Sequence, residues 1–104
     1  IPAFHYMVAK AGGDNIPLVP YATFGTPELA ALAARALESR DACLLANHGQ
    51  IAIGDSLESA LELAEEVETL AAQYVAACAA GGPVPLPADE MKRVLEKFKS
   101  YGKG

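Results

Sequence analysis

The sequence predicts a single α/β domain. Two short apolar runs, Ala42 to Ala46 and Ile51 to Ile53, flank a polar interruption and have the length and composition of strands. Around them stand stretches whose apolar residues recur at helical spacing and whose ends carry cap residues. A chain of 104 residues, 52% hydrophobic and 20% charged, is long enough to bury one core and no more.

Phe4, Met7, Val8 and Ala11 recur at helical spacing ahead of Gly12 and Gly13, which predicts a short helix ended by a glycine cap. "NIPLVPYA", Asn15 to Ala22, has a strand's composition but two prolines, so it fits an edge strand or an extended connector. Thr26-Pro27-Glu28 predicts a helix start: a hydroxyl to accept an orphan N–H, a proline where no N–H is needed, and an acid at the positive dipole end. Leu29, Leu32, Ala33, Ala36 and Leu37 give that helix an apolar face, with Asp41 closing it. The strands Ala42 to Ala46 and Ile51 to Ile53 then form a hairpin, with Gly49 supplying the backbone freedom of a tight turn and His48 displayed at its tip.

Asp55 or Ser56 with Glu58 caps the longest helix. Its stripe is read as Leu57, Ala60, Leu61, Ala64, Val67, Ala71, Tyr74, Val75 and Cys78, with Glu58, Glu62, Glu65 and Thr69 toward solvent. "GGPVPLP", Gly81 to Pro87, cannot be helical and is a stiff linker. Asp89 and Glu90 open, and Lys97 and Lys99 close, a last helix with Met91, Val94, Leu95 and Phe98 inward. The segment Ser100 to Gly104 reads as a short tail carrying Tyr101.

Several function classes drop out on composition. Eight basic against 13 acidic side chains give a net charge of −5, without a basic, aromatic-laced stripe to follow a phosphate backbone, so nucleic acid is not an expected partner. No apolar run approaches the roughly 20 residues that a membrane helix needs, so a membrane is not expected either. Cys43 and Cys78, far apart and single, fit reduced core thiols and a cytoplasmic setting. The chain begins Ile1-Pro2-Ala3, with neither an initiator methionine nor an export signal, as an interior or C-terminal part of a longer protein would.

Few residues offer chemistry. His48 on a strand turn suits either a metal ligand or a hydrogen-bonded structural histidine; one imidazole is not a site, since zinc takes three or four donors. Tyr6, in "FHYM", can donate a proton to a developing carbanion held against it, or can simply pack with its hydroxyl at the surface. Phe24, in "YATFGT", is by itself a core or interface aromatic, and Tyr101 a frayed end. Glu62, Glu65, Glu66 and Glu68 lack inward glutamate and histidine pairs and read as a solvated face.

"IPAFHYMVAKAGG", "IPLVPYATFGT", "LLANHGQIAIG" and "LEKFKSYG" stand in this order and at spacings that closely resemble the C-terminal half of class II aldolases of the aldolase/adducin family. The likeness is greatest to those acting on fuculose 1-phosphate, and it covers nearly all of the chain. It implies that residues 1–104 are the C-terminal part of one class II aldolase-like domain: three layers, α/β/α, around a largely antiparallel sheet, assembled as a homotetramer with active sites between subunits. It also implies that His48 is one of three histidine ligands of a catalytic Zn2+. The other two, with the catalytic glutamate and the phosphate-holding groups, are implied upstream of Ile1, so this stretch alone would not be a complete enzyme.

The implied reaction is the reversible, zinc-dependent cleavage of a ketose 1-phosphate into dihydroxyacetone phosphate and an aldehyde such as lactaldehyde, with no lysine Schiff base. Tyr6 is implied as the proton donor, and Phe24 and Tyr101 as groups reaching the sugar-phosphate substrate from across a subunit boundary. Two other readings remain open at this point: a sugar-phosphate epimerase like the L-ribulose-5-phosphate 4-epimerases, and a non-catalytic assembly module like the adducin head.

Overall fold

The computed structural model describes residues 1–101. The first element is a 3-10 helix, Tyr6–Ala11. His5, in extended conformation, opens it by accepting the Met7 N–H at Nδ1, and Gly12 closes it in the left-handed region at φ 97°. Strand β1 (Leu18–Val19) follows, then helix α1 (Pro27–Ala36). The hairpin is β2 (Ala42–Leu45) and β3 (Gly49–Ala52), and it leads to α2 (Leu57–Ala79) and α3 (Ala88–Tyr101).

The sheet is mixed. β1 is an edge strand parallel to β2, with Leu18 beside Leu44, and β2 runs antiparallel to β3, with Ala42 beside Ala52 and Leu45 beside Gly49. Alternation along β2 divides the apolar side chains between two clusters. Ala42 and Leu44 join Val8, Leu63, Val67, Leu70 and Met91, while Cys43 and Leu45 join Val19 and Ala33 with Leu29 and Leu32. Both faces of β2 are thereby covered, which is why it reads as a nearly unbroken apolar run.

The caps follow from sequence, with corrections in detail. Thr26 Oγ1 accepts the Leu29 N–H at 3.3 Å with Pro27 in the first turn of α1. Asp41 does not close α1, which ends at Ala36 with Leu37 as its cap. Instead the Asp41 N–H donates to the Ala11 carbonyl, tying the start of β2 to the end of the 3-10 helix. At α2 the cap is Ser56, and its reciprocal partner is Ser59 rather than Glu58, each hydroxyl accepting the other's backbone N–H at 3.1 Å.

Of the residues read as the stripe of α2, Val67 is buried and Ala60, Ala64, Ala71 and Tyr74 are partly so, while Leu63 and Leu70, outside that reading, join Val67 in the core. Leu57, Leu61 and Val75 are exposed, at 92%, 60% and 69%, and Cys78 is exposed too, so only Cys43 is a core thiol. Alanines and leucines surround α2, so periodicity placed Val67 inward but did not show that the core continues toward Leu63 and Leu70 rather than Leu57 and Leu61. Leu70 is 1% exposed, so Leu70→Ala is expected to cost about 2–5 kcal/mol through lost transfer energy and the cavity left behind, read as a lowered urea midpoint.

Gly81 and Gly82, both at positive φ, end α2, and the proline-rich connector is pinned where the Leu86 N–H donates to the Ala3 carbonyl at 2.7 Å. α3 then packs Met91 and Val94 into the larger cluster, with Leu95 and Phe98 against it. It runs on through Ser100 to Tyr101, so those two residues extend the helix rather than belonging to a tail.

Candidate functional site

His48 sits where the hairpin reverses. Its backbone N–H donates to the Leu45 carbonyl at 3.1 Å, closing a turn over Leu45–His48. The left-handed residue in this turn is Asn47, at φ 58°, and not Gly49, which already lies in β3. Asparagine is among the few side chains that tolerate that region, so the turn uses the residue before the histidine. The His48 side chain is exposed, and among the described residues its ring has no hydrogen-bond partner. The reading as a hydrogen-bonded structural histidine therefore finds no partner here.

The hairpin is held rigid from behind by a residue that sequence reasoning passed over. Gln50 Nε2 donates to the Ala64 carbonyl at 2.9 Å and to Glu68 at 3.3 Å, joining β3 to α2, while its Oε1 is buried without a partner. A signal was available: Gln50 alternates with Ala52 on the α2 side of β3, where a polar residue must find a bond. Two residues from His48, this link holds the turn to the longest helix.

Phe24 lies in the loop between β1 and α1. Thr26 Oγ1 donates to the Thr23 carbonyl at 2.7 Å and Gly25 takes φ 74°, a tied bend that leaves Phe24 79% exposed. Phe24 is therefore not a core aromatic of this chain. Because β1 and β2 are parallel, the loop after β1 and the turn after β2 emerge at the same end of the sheet, which places Phe24 and His48 on loops at one end.

Tyr6 is elsewhere. The residue is 51% exposed, and its ring lies stacked on His5, with centroids 4.9 Å apart and planes at 22°. It lines a cleft of about 860 Å³ between the 3-10 helix and α3, together with Met7, Lys10, Val94 and Phe98. Neither His48 nor Phe24 lines that cleft, so one chain does not gather the three residues into one cavity. The Tyr101 side chain lies outside the described residues.

Among the described residues, no three histidine, cysteine or acidic side chains come together as a metal site. The donors present fit one corner of a zinc site, the exposed imidazole of His48, and not a whole one. Cys43 is no candidate: burial pushes its thiol up, against a smaller opposing effect of its backbone bond to Ile51, so it stays a neutral packing group.

Residues 1–75 match the model of the class II aldolase and adducin N-terminal domain. The chain belongs to the class II aldolase and adducin family. Over 102 residues this family member is 61% identical to a 5-methylthioribulose-1-phosphate/5-deoxyribulose-1-phosphate aldolase of Rhodospirillum rubrum, covering 98% of the chain and 46% of that protein. It is 56% identical over 103 residues to an L-fuculose phosphate aldolase of Escherichia coli strain K12, covering 98% of the chain and 48% of the relative. A solved L-fuculose 1-phosphate aldolase superposes with a TM-score of 0.89 at 50% identity, over 94% of this chain and 46% of the other. The chain thus spans about half the length of the curated relatives it matches.

Proposed function

We propose that the chain is the C-terminal part of a metal-dependent aldolase subunit that reversibly cleaves a ketose 1-phosphate of the fuculose 1-phosphate type into dihydroxyacetone phosphate and an aldehyde. The observation that carries this reading is the exposed His48 imidazole, without a hydrogen-bond partner among the described residues and presented at the tip of a hairpin that Gln50 ties to α2. Identity of 61% and 56% to proteins named as aldolases supports it.

In this reading His48 holds one coordination position of Zn2+, and the remaining ligands, the catalytic glutamate and the phosphate-binding groups come from outside residues 1–104. When bound, the metal supplies Lewis-acid charge beside the substrate's carbonyl and hydroxyl oxygens. Tyr6 holds a proton on its phenolic oxygen and delivers it to the carbanion carbon or the aldehyde oxygen of a neighbouring subunit's substrate. Its half-exposed position, and the exposure of Phe24, suit residues presented outward across a subunit boundary. Phe24 supplies an apolar wall at the aldehyde end, and Tyr101 closes over it and keeps water out. The whole subunit is then a three-layer α/β/α domain in a cytoplasmic homotetramer.

The test is a coupled assay for dihydroxyacetone phosphate released by the full-length subunit from fuculose 1-phosphate and from 5-deoxyribulose 1-phosphate. Release that is abolished by a chelator and restored by zinc is expected; conversion to an epimer with no triose phosphate contradicts the reading. Truncation after Phe98 is expected to leave zinc content and assembly unchanged while lowering turnover and blurring the preference between two aldehydes in the condensation direction. Equal rates and equal preference return Tyr101 to the plain reading of a chain end without a part in the reaction.

A further inference from the structure

Tyr6 lies at the end of a row of rings. Tyr74 on α2 meets Phe4 with centroids 5.2 Å apart, Phe4 meets His5 at 6.0 Å, and His5 stacks on Tyr6 at 4.9 Å. Three of these four rings belong to consecutive residues, and only the last is half-exposed to solvent. A half-exposed tyrosine on a short 3-10 helix would ordinarily sample several χ1 wells, because nothing on its outer side selects one. Here one ring face is covered by an imidazole lying nearly parallel to it.

His5 is itself fixed twice. Its Nδ1 accepts the Met7 N–H at 3.0 Å, which sets the ring plane as the helix starts. Phe4, tilted at 56°, borders it and is anchored through Tyr74 to the longest helix. The backbone at His5 (φ −150°, ψ 140°) is extended and the next residue is helical, so the two adjacent side chains can stack instead of diverging.

We propose that His5 is a positioning residue for Tyr6: its ring is the platform that holds the phenol in the one orientation from which it can reach a substrate. This rests on the reading of Tyr6 as the proton donor. His5 does not touch substrate in this account; it acts through the tyrosine, and its cap on the 3-10 helix serves to orient the platform. A positioned acid loses most of its effect when its reach is off by about 1 Å, and supporting residues of this kind are worth about 10- to 100-fold in rate.

The experiment is a double-mutant cycle in the full-length subunit, with kcat and KM for aldol cleavage measured for His5→Ala, Tyr6→Phe and the double variant, alongside two partial replacements. His5→Asn keeps a side-chain acceptor for the Met7 N–H and removes the stack; His5→Phe keeps a flat ring and removes the acceptor. The expected result is that His5→Ala lowers kcat about 10- to 100-fold with KM within about twofold, and has no further effect once Tyr6 is phenylalanine. His5→Phe recovers most of the rate and His5→Asn, though folded, does not. If His5→Ala lowers kcat equally with and without the Tyr6 hydroxyl, or if His5→Asn restores the rate in full, the platform role is overturned and His5 is only a helix cap. Should His5→Ala fail to fold, the contrast between the asparagine and phenylalanine variants decides in the same way. An unchanged kcat in Tyr6→Phe alone removes the catalytic reading of Tyr6 and the platform with it, an outcome distinct from an active Tyr6 with silent His5 variants.

Discussion

His48→Ala in the full-length subunit is expected to lose most of its bound zinc and to slow cleavage of the ketose phosphate by roughly 10³-fold or more. The size follows from what the imidazole does: a catalytic zinc held by three protein ligands has no spare donor, and Lewis-acid stabilisation amounts to several kcal/mol, about tenfold in rate for each 1.4 kcal/mol. Stability should hardly change. The imidazole is exposed, the turn is closed by the backbone bond from His48 to Leu45, and the hairpin is tied to α2 through Gln50 rather than through His48. Metal analysis and thermal unfolding on the same preparation check this. Full zinc occupancy in a folded variant excludes His48 as a ligand.

Tyr6→Phe is the complementary case, with rate lost and metal kept. Removing only the hydroxyl leaves the ring on His5 and the wall of the cleft beside α3 intact, so folding and zinc content should match the parent. A positioned proton donor contributes about 10²–10⁴-fold, and because that proton moves only in the transition state, the loss should fall on kcat with KM within about twofold. Steady-state kinetics in the cleavage direction make the measurement. A rise in KM at constant kcat would show a binding contact in place of an acid.

Local chemistry made much of this fold legible. The Thr26-Pro27 start of α1, the glycine cap at Gly12 and the hairpin around His48 each rest on a residue type with one dominant use, and the structure contains all three. What could not be read was to which side of Val67 the inward stripe of α2 extends, because alanines and leucines surround that helix and the choice is made by the sheet it meets. Glycine's permissiveness points to Gly49 for the positive φ, yet the chain places it at Asn47, which leaves Gly49 able to pair with Leu45. The ending of α1 differs for a similar reason: Asp41 is polar and follows a helical pattern, but its N–H donates to the Ala11 carbonyl, a contact 30 positions away along the chain.

The candidate site was legible as residues and not as a place. His48 and Phe24 stand on loops at one end of the sheet because β1 and β2 are parallel, and Tyr6 stands on a cleft with α3, a separation that no spacing in the sequence encodes. Neither the His5 stack nor the Gln50 tie was visible from periodicity, since each depends on a ring or an amide meeting a partner in three dimensions.

The central claim, that His48 is a ligand of the catalytic metal, is tested most directly by anomalous X-ray scattering at the zinc edge from crystals of the full-length subunit. The account predicts a peak about 2.0–2.1 Å from one ring nitrogen of His48, shared with donors that precede residue 1. A zinc peak coordinated elsewhere, with the His48 ring pointing to solvent, would contradict it.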